Sequence, residues 1–205
     1  MYYALVFYPQ LDPGLTELID EIRRKYDPTV ERSKPHITVL FPVPDKVGEP
    51  QLISHIQSVL SDWSSFDIRL GGFHKSHDHW LFLTLTEGEA QVSQLYQLLL
   101  TGILAEYRRD DIEFVPHLGL GLFIKEGSRY DWAHPQEADF DRQKYEEALQ
   151  QAKALPLGSS CVMEKLHLVR IPEEVLDWAT GKRASIPGDW RSTEVREFRL
   201  GDRGA

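Results

Sequence analysis

Cysteine is all but missing from this chain: Cys161 stands alone among 205 residues. A single thiol excludes an internal disulfide and fits a reducing cytoplasm. Its apolar surroundings read as core, not as the setting of a nucleophile. Long hydrophobic runs are missing too, since no stretch approaches the ~20 apolar residues of a membrane span. The opening Met1–Tyr8 has neither a basic leader nor a small-residue cleavage site, so it reads as a first strand. Extended cationic blocks are also absent. Net charge is −9, and Arg23-Arg24-Lys25 and Arg108-Arg109 are short runs at expected helix ends, where cations favour the helix dipole. A duplex-DNA binder needs a broad basic surface. The composition therefore argues against duplex DNA and a membrane as partners, and the expected location is the cytoplasm; a monomer is expected, although composition does not fix the oligomeric state. It leaves room for one phosphate in a locally basic pocket. No low-complexity linker divides residues 1–205, which are expected to form one domain.

Hydrophobic periodicity supplies the elements. Residues 2–8 read as a strand, and Asp12-Pro13-Gly14 as the entry to a helix running to about Tyr26. A strand follows over 36–41, then an amphipathic helix marked by Leu52, Ile53, Ile56, Val59 and Leu60. A hairpin spans 66–86, its first strand ending at Gly71-Gly72. A third helix runs from about Val92 to Tyr107, and a strand covers 116–124. Residues 125–140 read as a loop, Tyr145–Ala154 as a helix, and Val162–Ile171 and Val195–Leu200 as strands. A turn-rich connection, 172–190, lies between those last two. The unit strand, helix, strand occurs twice if Trp80–Thr86 plays the part of residues 2–8. That layout suggests two similar, intertwined lobes in an α+β chain.

One sequence motif echoes the duplication. Pro35-His36-Ile37-Thr38-Val39-Leu40 returns 81 residues on as Pro116-His117-Leu118-Gly119-Leu120. Strand period two puts His36 and Thr38 on one face, about 7 Å apart, with Ile37 and Val39 on the other. By the same alternation His117, Gly119, Gly121 and Phe123 share a face. Two imidazoles on either side of a phosphate can divide the work of ester cleavage. One takes a proton from the attacking oxygen and the other gives one to the leaving oxygen. The Thr38 hydroxyl can donate to a phosphate oxygen. Phe123, on the His117 face, is positioned to stack on a base, whereas Phe41 reads as core.

The two His strands, their spacing, the N-terminal strand and the closing strands together resemble the 2H phosphoesterase superfamily, which includes 2′-5′ RNA ligase-like proteins and cyclic phosphodiesterases. The resemblance covers nearly the whole chain. It implies a two-lobed α+β fold with antiparallel sheets flanking a central cleft and helices packed outside. It implies His36 and His117 as catalytic pair, Thr38 as phosphate donor, and no metal or organic cofactor. The implied activity is that of a phosphodiesterase on a 2′,3′-cyclic phosphate or a 2′-5′ linkage, with an RNA end or small nucleotide as substrate. Gly119 departs from the pattern, standing where the family usually has Thr or Ser. A charge-assisted hydrogen bond lost there is worth roughly 1.5–3 kcal/mol unless Lys34, Lys125 or a Tyr replaces it. The alternative is therefore a catalytically weak RNA- or nucleotide-binding module on the same scaffold.

His74-Lys75-Ser76-His77-Asp78-His79 contains good ligand types for zinc. Its position just after two glycines and between two strands favours a solvated hairpin tip. Trp132, Trp178 and Trp190 lie in irregular stretches and read as loop anchors.

Overall fold

The structure is a computed structural model that describes residues 1–128, 138–158, 160–172 and 191–201. The 172–190 connection and the three loop tryptophans named above therefore lie almost wholly outside the described residues. The strands are β1 (Tyr2–Phe7), β2 (Ile37–Pro44), β3 (Phe66–Lys75), β4 (Trp80–Glu87), β5 (His117–Leu122), β6 (Ser160–Met163), β7 (Lys165–Ile171) and β8 (Thr193–Arg199). The helices are α1 (Pro13–Tyr26), α2 (Glu49–Leu60), α3 (Glu89–Leu99) and α4 (Arg142–Lys153). Entry to α1 follows the sequence: Pro13 takes the first turn, and the Asp12 carboxylate accepts the Gly14 N–H at 2.8 Å. No described helix is long and apolar enough to cross a membrane.

The strands form one antiparallel sheet in the order β6-β3-β4-β5-β2-β1-β7-β8. Its two four-stranded halves meet where Ile37 of β2 pairs with Leu118 of β5. Those two residues each follow a motif histidine, so the halves are related by an approximate two-fold axis through the pair. Each strand has a counterpart across that axis: β2 and β5, β1 and β4, β7 and β3, β8 and β6. The helices cross over, with α1 packing against β5 and α3 against β2. The core lies between sheet and helices, where Ile37, Val39, Leu40, Leu118, Leu120, Ile19 and Leu95 are fully buried. The α+β class and the antiparallel arrangement agree with expectation, and the two expected sheets are halves of one.

Both His strands carry an irregularity at the same offset. On β2, Leu40 pairs with Leu5 and Thr38 with Val6, leaving Val39 as an extra residue. On β5, Gly121 pairs with Leu81 and Gly119 with Phe82, leaving Leu120 as the extra one. In each case the third residue after the histidine is inserted, and beyond it the faces exchange.

Three boundaries differ from expectation. The first hairpin strand runs through Gly71-Gly72 to Lys75, because the glycines make room for the side chains of Thr86 and Thr84 opposite. The third helix stops at Leu99, and a 3₁₀ turn over Gly102–Tyr107 follows, entered by Gly102 at φ 54°. The strand expected at 162–171 divides at Glu164: β6 pairs with β3 in one half, and β7 with β1 in the other.

Candidate active site

The register at the seam, carried one residue either way from Ile37–Leu118, sets His36 beside Gly119 and Thr38 beside His117. All four are half-buried on the face opposite the core. His36 and His117 are thus diagonal neighbours on adjacent antiparallel strands, a spacing of roughly 7–8 Å between backbones. The sheet brings together the four central residues that the sequence singled out.

The two rings are held in the same way. Nδ1 of His36 donates to the Lys34 carbonyl at 2.8 Å, with Ser33 Oγ at 3.1 Å. Nδ1 of His117 donates to the Val115 carbonyl at 2.6 Å. A carbonyl only accepts, so Nδ1 carries the hydrogen in both rings and Nε2 keeps its lone pair. Each tethering carbonyl belongs to the residue before a proline, which is confined to extended backbone. The Pro-His pairs were visible in the sequence, but their role in fixing the tautomer was not read from them.

The segment that tethers His36 is itself anchored. Arg23 and Asp27 form a buried ion pair at 2.8 Å. Arg23 also donates to the Ser33 carbonyl at 2.7 Å, and the Asp27 carboxylate receives both the N–H and hydroxyl of Thr29.

Aromatic rings flank both histidines. The Phe82 ring lies parallel to His117, with centroids 3.4 Å apart and 14° between planes. Tyr8 meets His36 edge-on at 6.3 Å. Trp80 borders Gly119: a Cβ added there would sit 3.7 Å from the indole, an ordinary contact distance. Tyr8, Trp80 and Phe82 were not picked out from sequence. Their only signal was alternation along β4 and along residues 2–8, which marks a face without saying what faces it.

Desolvation works against protonation at both rings. Burial lowers the pKa of His36, with the Lys34 carbonyl opposing it and Arg23 adding to the lowering. Burial pushes His117 down to about 4; the Val115 carbonyl opposes this, while His36 and His74 add to the lowering. The two motif histidines therefore disfavour each other's charge.

Phe123 is not part of this face. It is 1% exposed and packs against Tyr26 and Tyr145 in the core. The extra residue Leu120 accounts for the difference, since beyond it Gly121 and Phe123 turn to the helix side and Leu122 to the site side. Phe41 is half-buried against Tyr96 and Phe114. Lys125 is exposed, and its backbone N–H donates to Asp139. In the His74–His79 segment, His74 belongs to β3. His79 is buried, with Nε2 3.0 Å from the Ala138 carbonyl. Among the described residues, no group of three or more His, Cys, Asp or Glu is placed to hold a metal ion.

Fold and site define a class: a two-half antiparallel sheet with one proline-led histidine from each half meeting at the seam. The model of the 2′-5′ RNA ligase superfamily matches residues 11–171, and the chain belongs to that family, the 2H phosphoesterases. Among solved structures, TT0787 of Thermus thermophilus is similar at 18% identity and TM-score 0.57, covering 100% of this chain and 99% of its own. E. coli LigT, solved with NADP+, is similar at 16% identity and TM-score 0.52, covering 98% and 100%. LigT solved with 3′-AMP is similar to the same degree, with a TM-score of 0.52. At these identities the likeness concerns the fold. No curated protein matches the chain by sequence.

Proposed function

We propose that the protein is a phosphodiesterase that opens a 2′,3′-cyclic phosphate or cleaves a 2′-5′ linkage on a small nucleotide or RNA end, using His36 and His117 as acid and base. Family membership supports action on phosphodiesters. The observation that carries the finer reading is the pair of Nε2 lone pairs, one from each half of the sheet, with Nδ1 occupied in both rings. One Nε2 takes the proton of the attacking water as its oxygen bonds to phosphorus. The other, protonated at the start, gives its proton to the leaving oxygen as the P–O bond breaks. Repulsion between the rings disfavours a second proton on the pair, so that when one ring is protonated the other stays bare as the base. The Thr38 hydroxyl, beside His117, is the donor to a non-bridging phosphate oxygen.

Purified protein is expected to turn over 2′,3′-cyclic nucleotides, in EDTA as well as without it. His36→Ala and His117→Ala are each expected to lower kcat by at least about a hundredfold, the usual scale for losing a general acid or base, with circular dichroism unchanged. Full activity in either folded variant overturns the reading.

Gly119 favours one second reading, a module that binds nucleotides and turns them over weakly. It gives a phosphate no hydroxyl, and the neighbouring Trp80 offers carbon at that point. Saturable binding of a cyclic nucleotide with no product after long incubation would select it.

A further inference from the structure

We propose that the cavity beside His36 is a second phosphate subsite, which takes a terminal phosphate monoester carried by the same substrate; this rests on the reading that the histidine pair holds the reacting phosphate. The cavity has a volume of about 440 Å³, in the range of small-ligand sites. Its walls come from the second half of α1, residues 30–35 ahead of β2, Tyr8, Val169 of β7 and the start of β8. It thus begins at Pro35, one residue from His36. Tyr8 and Val169 pack with Ala4 and Val6, apart from the main core. Val6 pairs with Thr38, so the cavity opens on the face of the sheet that carries the motif histidines.

Charge is the distinguishing property of this cavity. Five cationic side chains line it: Arg23, Arg24, Arg32, Lys34 and Arg191. Three carboxylates, Asp20, Glu31 and Glu194, share the wall, which leaves cations in excess in a chain whose net charge is −9. Arg23 is buried on Asp27 and the Ser33 carbonyl, and Arg24 pairs with Glu17 at 2.6 Å. Lys34 and Arg191 are exposed and have no ion-pair partner among the described residues. Two of the carboxylates have partners of their own: Asp20 lies 3.5 Å from Arg23, and Glu194 lies 3.1 Å from Nδ1 of His167.

A phosphate monoester carries roughly two negative charges near neutral pH, more than the single charge of a diester, and so gains more from such a wall. Guanidinium and ammonium groups both donate to phosphate oxygens, the guanidinium in two parallel bonds. Neutral donors add to them: the Ser192 hydroxyl and the Tyr8 phenol line the same cavity. Burial and the Glu194 carboxylate both raise the pKa of Tyr8, so the phenol keeps its proton and remains a donor.

Lys34 joins the two sites. Its carbonyl holds Nδ1 of His36 at 2.8 Å, and the same residue lines the cavity. A phosphate at Lys34 and a diester at His36 are therefore neighbours, the relation of two phosphates on one sugar. The other half of the sheet lacks this feature: the residue that tethers His117 is Val115, which is apolar. The subsite thus gives the substrate an orientation, with its terminal phosphate on the His36 side of the pair.

The test is calorimetric binding to the full chain of adenosine 2′,5′-bisphosphate against adenosine 2′-monophosphate, neither of which contains a diester to cleave. The bisphosphate is expected to bind about tenfold more tightly, the scale of one charge-assisted hydrogen bond. Lys34→Gln and Arg191→Gln are each expected to narrow that preference to about threefold, as exposed cations do, and the double variant to abolish it. Lys46→Gln, an exposed cation on the turn between β2 and α2, is expected to leave it unchanged. Equal affinity of the unmodified protein for the two ligands overturns the proposal. So does a folded K34Q/R191Q variant that keeps the preference, or an equal loss in K46Q. Inorganic phosphate titrated into protein saturated with the monophosphate tests a free ion as the occupant. No binding is expected; binding as strong as the bisphosphate's, and lost in K34Q/R191Q, overturns the substrate-borne assignment. Turnover of cyclic nucleotides is scored separately. Turnover without the preference removes the second subsite and leaves the acid–base reading intact, whereas the preference without turnover does the reverse.

Discussion

His36 and His117 share a tether, but their surroundings differ, and the difference has measurable effects. Phe82 covers one face of His117, while the contact of Tyr8 with His36 is edge-on. Burial holds His117 at about 4, against 6.5 for an ordinary histidine. Between those values the unfolded chain binds a proton that the folded ring refuses. Stability therefore falls as pH drops from about 6.5 towards about 4, and His36 acts in the same direction. Urea denaturation midpoints from about pH 7 to about pH 4.5 are expected to decline. His117→Gln should give a shallower decline, and a slope unchanged by that substitution would place the proton uptake elsewhere. At Gly119, a Cβ meets only Trp80 at van der Waals distance. Gly119→Ser is therefore expected to fold normally and to raise kcat/KM on a cyclic nucleotide by about tenfold, through a new hydroxyl donor. An unchanged or lower value would mean that the space serves the substrate. The central residues were legible because strand alternation needs only local sequence. Their tether was less so, since it depends on a backbone carbonyl.

At the level of elements, the inserted residue in each His strand decides what faces the site. Thr38 and Gly119 precede the insertion, and alternation read them correctly. Gly121 and Phe123 follow it, and alternation put them on the wrong side. Nothing in Leu118-Gly119-Leu120-Gly121-Leu122 distinguishes an inserted leucine from a regular one, because both positions are apolar. Glu164 hides a similar division: one polar residue within an apolar run is where the chain leaves β6 in one half and starts β7 in the other. Gly121 has a second consequence. Its missing side chain lets the end of α1 lie against β5, where an added Cβ would come within 2.6 Å of Tyr26 Cβ and 3.0 Å of the Tyr26 carbonyl oxygen. Gly121→Ala is expected to destabilise by about 1–3 kcal/mol, the range for overpacking a filled core. That lowers Tm by about 2–4 °C per kcal/mol in a chain of this size. A Tm equal to that of the parent protein would mean that α1 can withdraw freely.

Across the whole molecule, the halves are interlocked. Each His strand rests on the helix that leads into the other, and the β6–β7 segment runs from one half to the other. Neither half has a complete core by itself. Thermal or urea unfolding is expected to show one transition, coincident by near- and far-ultraviolet circular dichroism. Two separable transitions would mean that the halves are independent domains. The approximate two-fold axis also bears on the direction of the proposed reaction. In hydrolysis the ring that began bare ends protonated, and the ring that began protonated ends bare. Rotation about the Ile37–Leu118 axis exchanges the two rings. The site after a turnover is thus, in outline, the starting site viewed from the opposite strand, ready for the reverse passage. The unequal furnishing of the halves, Thr38 against Gly119 and Tyr8 against Phe82, sets which ring starts with the proton, while the net direction follows from the concentrations of ester and product.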